Sequence, residues 1–354
     1  MKAKAAIATS QNVIVFDDVE VREPIGNEVR VKITAVGICG TDITAIHGAI
    51  GMFPTVLGHE GAGIVEAVGP DVKKFKVGDR VGITFTSCGG CKWCKLGKPS
   101  LCDQYMTNFY APGRLEYKHK PLPSWFGQNS FATTTLTAEG NLTHVPEGLN
   151  PDMAGPYGCG IMTGVGSMMA CNPQPGDTAI VFGLGTVGMS ALMGAKLAGC
   201  EKIIAVGGTQ WKLDLARELG ATHTVNRREA EDLEAAIRAI APEGGKCIVE
   251  ATGHTEMCTQ AVKVLGKMGT LYFAAVYHEP FPFFPNMAVN GTYKHGGMGD
   301  WDSVPNIEKL MQLTVDGKLP VDKLITYYDF DDMDKAMDDL AHQRVIKAVL
   351  KVNE

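Results

Sequence analysis

The chain has 354 residues, 45% of them hydrophobic and 20% charged, which is enough for one or two substantial cores, and its length favours two domains. With 39 acidic against 33 basic residues the net charge is −6, and the basic residues are scattered, which argues against a nucleic-acid or membrane surface as partner. No stretch approaches the roughly 18 uninterrupted apolar residues of a membrane span, and the opening "MKAKAAIATSQNVIVFDD" lacks a secretory apolar run, so a reducing, cytoplasmic setting is expected.

Residues 1 to about 85 read as Val-, Ile- and Thr-rich strands separated by Gly and Pro, such as "EVRVKITAVG" (28–37), "GAGIVEAVG" (61–69) and "VGDRVGITF" (77–85). That spacing predicts a mostly antiparallel, barrel-like β domain. "TSCGGCKWCKLGKPSLC" (86–102) follows, with Cys88, Cys91, Cys94 and Cys102 in the pattern C-x2-C-x2-C-x7-C. A redox switch, a pair of disulfides and a metal site compete as explanations. A reducing compartment disfavours disulfides, and four closely spaced thiolates suit a closed tetrahedral shell, so the lobe is read as a structural zinc site rather than an active site. Residues 103–130 are irregular and rich in aromatics and prolines.

From about 178 the pattern changes. "TAIVFG", a helix over Thr186–Gly199, "KIIAVG" (202–207), a helix over Gln210–Leu219, "ATHTVN", a helix around 228–240, "KCIVEATG", a helix around 255–265 and "GTLYFAAV" alternate as a parallel α/β sheet does. A helix over about 303–315 and a last strand in "VIKAVLKV" complete the chain, with a boundary expected near "AGPYGCGIMTGVG" (154–166). Gly183-x-Gly185-x-x-Gly188 lies directly after a strand and opens a helix. In that setting it reads as a dinucleotide loop: Gly183 for the tight turn, Gly185 for approach of the pyrophosphate, Gly188 for helix–strand packing, and the helix N-terminus at Thr186 and Val187 for its N–H groups. The second strand ends in Gly207, Gly208 and Thr209 instead of the acid that would bind a ribose 2′-hydroxyl. Thr209 and Lys212 are candidate donors to a 2′-phosphate, although this stretch holds no arginine; NADP is favoured and NAD stays open.

Three further fragments carry chemistry: "AVGICGTD" with Cys39, Thr41 and Asp42, "VLGHEGAG" with His59 and Glu60, and "GPYGCGIMTG" with Cys159. Two thiolates and an imidazole would make a zinc site with an open fourth position, but isolated Cys and His residues are more often packing groups, and composition alone leaves both readings open.

Together these motifs, with "VGDRV" and "GGMGDWDSVP" in matching order, resemble the zinc-dependent medium-chain alcohol dehydrogenases over essentially the whole chain. "FGQNSFATTTLT" and "GCGIMTGVGS" are most similar to the aryl- (benzyl-)alcohol dehydrogenase branch. The resemblance implies a GroES-like catalytic domain over 1–160 with its structural-zinc lobe at 86–102, a Rossmann doubly wound parallel-sheet domain over 161–296, and a return to the catalytic domain over 297–354. It implies two Zn²⁺ per chain and a homodimer or homotetramer acting on a small alcohol or aldehyde. Cys39, His59 and Cys159 would hold the catalytic zinc, with Glu60 beside it or as a transient ligand. Asp42 would orient His59, Thr41 would hydrogen-bond the zinc-bound alkoxide and begin proton release, and Lys347 would reach the cofactor pyrophosphate.

Thr44 stands where many members place the outer histidine of a proton relay, which would then run through cofactor ribose and water, while His47 nearby is read as structural. Gly40 replaces a bulky basic residue that contacts the pyrophosphate in some members. The reading is reversible hydride transfer between primary aryl or allylic alcohols and a nicotinamide cofactor. A polyol or secondary-alcohol dehydrogenase is the enzymatic alternative; several of these replace the third zinc ligand by an acid, unlike Cys159. A non-catalytic crystallin-like binding protein is the other alternative. Cys171, Cys200, Cys247 and Cys258, and Met168, Met169, Met189 and Met193, are expected in the core. Phe109, Tyr110, Trp125, Phe126 and Trp301 are candidates for pocket wall and core alike.

Overall fold

The structure, a computed structural model, describes residues 1–49, 52–277, 279–283, 290–300 and 303–352; Trp301 lies outside the described residues. Two compact units form, Met1–Cys159 with Asp302–Glu354, and Gly160–Trp301.

The first unit carries β1 (Lys2–Ser10), β2 (Val13–Val21), β3 (Glu28–Gly37), β4 (Thr55–Val56), β5 (Gly61–Val68), β6 (Arg80–Ile83), β7 (Leu115–Tyr117), β8 (Lys120–Pro121), β9 (Thr134–Ala138) and β10 (Leu142–His144). They form one sheet in the order β4-β1-β2-β7-β8, and a second containing β10-β6-β5-β3, with β9 also paired to β3. Every pairing among these ten strands is antiparallel. This is the GroES-like, half-barrel arrangement. Ile7, Val31, Ile33, Val56, Val81, Phe131 and Leu136 are essentially inaccessible to solvent and form a common core. Each such side chain stabilises the fold by roughly 1.5–3 kcal/mol relative to exposure.

The second unit carries β11 (Thr178–Phe182), β12 (Lys202–Gly207), β13 (His223–Asn226), β14 (Gly245–Glu250), β15 (Leu265–Phe273) and β16 (Thr292–His295) in the order β13-β12-β11-β14-β15-β16, all parallel. The order is that of a Rossmann sheet, and the buried runs Ala179–Phe182 and Ile203–Val206 are apolar throughout because helices cover both faces. The helix expected around 228–240 begins only at Leu233, since the Asp232 carboxylate caps it by accepting from Ala235 N–H (3.0 Å). Residues 227–231 are therefore a turn beyond β13. Gly297–Asp300 stays with the second unit, where the backbones of Gly166 and Gly299 approach so closely that a Cβ on Gly166 would meet Gly299 Cα at 3.0 Å.

The chain returns to the first unit with the helix Ser303–Val315, β17 (Ile325–Asp329) and β18 (Lys347–Lys351). β17 and β18 pair in parallel, and β18 lies antiparallel to β3 with Val349 opposite Gly37. That pairing sets Lys347 beside the Gly37–Cys39 segment. Cys171, Cys200, Cys247, Cys258, Met168, Met189 and Met193 are buried, and Met169 is half-buried. No described helix is long and apolar enough to cross a membrane.

The Gly-rich stretch after Pro151 is helical, with a π-helical turn over Tyr157–Ile161. Its glycines serve contact: a Cβ on Gly155 would collide with the Glu60 carbonyl, and one on Gly158 with the Ile83 carbonyl. Gly155→Ala is expected to destabilise the protein by about 3 kcal/mol or more. Gly140→Ala, with nothing within 4 Å of the added methyl, should be nearly neutral. Thermal unfolding of the two variants checks the difference.

Candidate active site and metal centres

Cys39 precedes the short helix Gly40–Ile46, His59 and Glu60 end the approach to β5, and Cys159 lies on the π-helical turn. One ligand atom from each of Cys39, His59, Glu60 and Cys159 falls within 4.8 Å of all the others. The two sulfurs are 3.9 Å apart. Tetrahedral Zn–S bonds of about 2.3 Å put sulfurs about 3.8 Å apart.

His59 donates from Nδ1 to Asp42 Oδ1 at 2.9 Å, which leaves Nε2 as the free lone pair. That atom is buried and has no hydrogen-bond partner. An orphaned imidazole nitrogen buried in a cluster with two cysteine sulfurs fits a metal. The Cys39 thiol is held well below its ordinary range by the hydrogen bond with Cys159, against burial, and by His59. A thiolate is the form that binds metal.

Asp42 is fully buried. Besides His59, Oδ1 accepts from Trp125 Nε1 (2.8 Å) and Gly58 N–H (3.2 Å), and Oδ2 accepts from Cys39 N–H (3.1 Å). Gln128 adds a donor to the His59 carbonyl (2.9 Å) and accepts from Gly61 N–H and Ser130 Oγ. Trp125 is thus a buried positioning group rather than a pocket wall, and Gln128 is a second such group that sequence patterns do not reveal. Thr41 Oγ1 lies 3.8 Å from Cys39 Sγ. Thr44 bonds back to Gly40 O, and His47 bonds Asn12 Oδ1 on the surface.

Lys347, which the resemblance puts at the cofactor pyrophosphate, is only 2% exposed and donates to Glu60 Oε1 (2.8 Å), Glu60 Oε2 (2.9 Å) and Ile38 O (2.9 Å). All three of its N–H groups are engaged inside the first unit, so its role in this structure is counter-charge to Glu60. Burial would lower the ammonium's pKa, but the Glu60 carboxylate and Cys39 hold it above its ordinary range. Burial acts on the other partner as well and pushes Glu60 up to about 7. The bidentate contact favours the charged pair.

Beside this cluster lies an aromatic group. Phe126 stacks on the His59 ring, centroids 4.3 Å apart and 22° between planes. Phe85 meets Phe126 edge-on at 4.8 Å, and Phe109 packs against Phe126 and Tyr110. Tyr105 continues the group; burial, and then Cys159, push its hydroxyl up.

In the cysteine lobe Sγ of Cys88 is 4.0 Å and that of Cys91 3.5 Å from Cys94 Sγ, and all four sulfurs fall within 4.8 Å of one another. Backbone N–H groups of Cys88 and Gln104 point at Cys102, and that of Cys91 at Cys88. Such donors favour the thiolate; those at Cys94 and Asp103 lower Cys91 to about 6, while burial pushes Cys94 up to about 12.

In the second unit the three loop glycines differ in environment. Gly183 has φ +90° and is pressed on Thr252, Gly185 has open space where a Cβ would stand, and Gly188 abuts the Gly183 carbonyl. The helix Thr186–Leu197 starts immediately after Gly185. This cradle fits a pyrophosphate. A Cβ on Gly207 would lie 2.5 Å from Leu184 Cδ1, so the end of β12 has no room for an acidic side chain unless Leu184 moves. Thr209 precedes the helix Gln210–Leu219, and the Lys212 ammonium sits 5.5 Å from the Trp211 ring centroid. Arg227 and Arg228, which sequence reading passes over, stand next to Gly208.

Asp42→Asn is expected to weaken zinc retention in the His59 cluster about 10- to 100-fold. A carboxamide has one acceptor oxygen, so either Cys39 N–H or the His59–Trp125 side would face an NH2 group. Competition with a chromogenic chelator measures it, and unchanged retention would remove Asp42 from that role.

Comparison with known proteins shows the family of the chain. The alcohol dehydrogenase GroES-like domain family matches residues 26–147, and the zinc-binding dehydrogenase family matches residues 186–312. A geraniol dehydrogenase of Castellaniella defragrans is 34% identical over 353 residues, 95% of this chain and 94% of that protein. An alcohol dehydrogenase class-3 of Drosophila melanogaster is 33% identical over 369 residues, 98% of this chain and 97% of its own. Among solved structures, benzyl alcohol dehydrogenase from Acinetobacter calcoaceticus superimposes with a TM-score of 0.94 at 33% identity, covering 100% of both chains.

Proposed function

The chain belongs to the zinc-dependent medium-chain alcohol dehydrogenase family, and on that premise we propose that it interconverts primary aryl or allylic alcohols and their aldehydes, with NADP as the favoured cofactor and two zinc ions per chain. The observation that carries the substrate class is the stacking of Phe126 on the proposed zinc ligand His59, extended by Phe85, Phe109, Tyr110 and Tyr105. Phe109 and Phe126 are buried, and the half-buried rings of Phe85, Tyr105 and Tyr110 leave surface from which a planar, apolar substrate gains, whereas a polyol would leave its hydroxyl groups without partners. The geraniol and benzyl alcohol dehydrogenases among its relatives are in keeping with this.

Cys39, His59 and Cys159 would hold the catalytic zinc, and Cys88, Cys91, Cys94 and Cys102 the structural one. Zinc, when bound, supplies a Lewis acid that lowers the pKa of an alcohol hydroxyl toward neutrality, and the nicotinamide supplies the hydride acceptor. The residues of the chain do the rest. Asp42 fixes the tautomer and direction of His59, and Glu60 with Lys347 adds an ion pair of no net charge beside the ligands. Thr41 Oγ1 would accept a hydrogen bond from the alcohol hydroxyl and, as it takes that proton, give up its own towards the cofactor ribose and water, while the aromatic group orients the substrate's reacting carbon and excludes water. The reaction balances as alcohol plus NADP⁺ giving aldehyde, NADPH and one proton.

Initial rates of the zinc-replete enzyme test this. Benzyl alcohol is expected to exceed ethanol and sorbitol in kcat/KM by roughly 100-fold or more, the order that apolar pocket contacts supply. A preference for sorbitol or for a secondary alcohol would overturn the substrate class. Metal analysis should find about two zinc ions per chain, and Cys94→Ser should remove the structural one while lowering thermal stability. An unchanged zinc content in that variant would refute the lobe's assignment.

A further inference from the structure

We propose that Arg227 and Arg228 form a clamp over Gly208 that binds the 2′-phosphate of an adenosine 2′-phosphate nucleotide. The proposal rests on the reading of NADP as cofactor and names the groups that would select it.

Strand pairing makes the clamp. β13 lies parallel to β12 with Asn226 opposite Gly207, so the residues that follow Asn226 run alongside Gly208 and Thr209. Arg227 N–H donates to Gly207 O at 2.8 Å, and Arg228 N–H donates to Asn226 Oδ1 at 3.1 Å, which fixes the turn against the end of β12. A point one carbon out from Gly208 lies 3.1 Å from Arg228 Nε, 3.3 Å from its Cγ and 3.4 Å from Arg227 Nε. Two guanidinium stems therefore converge on a spot left vacant by a missing side chain.

The charges also point to an anion. Both arginines are exposed, and neither has a salt bridge among the described residues. The neighbouring Glu229 carboxylate accepts from Asn226 Nδ2 (2.7 Å) instead. The helix Gln210–Leu219 begins at the same place and adds the positive end of its dipole. In an NAD site an acid stands here and binds the ribose hydroxyls. In this chain Gly207 and Gly208 hold no acid, and two cations face the vacancy. A phosphomonoester carries close to two negative charges and matches the arginine fork in shape.

The test is equilibrium binding by titration calorimetry of adenosine 2′,5′-bisphosphate and 5′-AMP to the intact protein. The wild type is expected to prefer the bisphosphate, and Arg228→Ala and Arg227→Ala are each expected to cut that preference about tenfold or more, with 5′-AMP binding unchanged. The double variant should remove nearly all of it. Binding of 5′-AMP and the unfolding temperature verify that each variant is folded; Arg228→Gln is the fallback if alanine disturbs the turn. A wild type with no preference for the bisphosphate would overturn the NADP reading and the clamp together. A wild-type preference that survives in the double variant would overturn the clamp alone and return the role to Thr209 and Lys212.

Discussion

The carboxylate of Asp42 is the group around which the catalytic unit is built. It is an anion with no exposed surface, and it accepts four N–H bonds from three separate parts of the chain: Cys39, the adjacent pair Gly58 and His59, and Trp125. Burying such a charge costs several kcal/mol unless it is fully hydrogen-bonded. The four donors meet that need, and in doing so they bring two proposed zinc ligands together. Cys39 is held by its backbone N–H and His59 by Nδ1. The same bond that satisfies Asp42 fixes which imidazole nitrogen is left free. Stability and site geometry thus have one cause here.

A second buried charge pair completes the arrangement from the far end of the sequence. Glu60 and Lys347 are separated by 287 residues and meet because β18 pairs with β3. Lys347 also donates to Ile38 O, one residue before Cys39. The C-terminal strand is therefore part of the support of the proposed metal site. Removing either partner would strand a charge among the ligands, so the two residues act as a unit.

The cofactor unit follows a different logic, in which missing side chains matter as much as present ones. Gly185 leaves space for a pyrophosphate, Gly188 lets the helix touch the turn, and Gly208 leaves the vacancy that Arg227 and Arg228 face. Each glycine sits where backbone must come close to backbone or to a ligand, and a helix N-terminus adds positive potential nearby. A β12 that ends in glycines beside a pair of arginines reverses the charge pattern of an acid-ended NAD site.

The sequence by itself determined the fold class and singled out the glycine loop and the four-cysteine lobe, because each depends on local spacing. Strand and helix periods are local, as are the turns around Gly183 and the intervals among Cys88, Cys91, Cys94 and Cys102. Family resemblance added which isolated residues, Cys39, His59, Glu60 and Cys159, belong together. What only the tertiary structure decided depends on strand register and on contacts between distant segments. Trp125 becomes a donor to Asp42 because residues 124–129 pass beneath the His59 loop. Lys347 turns to Glu60 because β18 sets it at the end of β3 with three acceptors in reach. Arg228 reads as the start of a helix in the sequence, but Asp232 caps that helix later and leaves the arginine in a turn. The parallel pairing of β13 with β12 then puts it next to Gly208, a neighbour 20 residues back that no local pattern could identify.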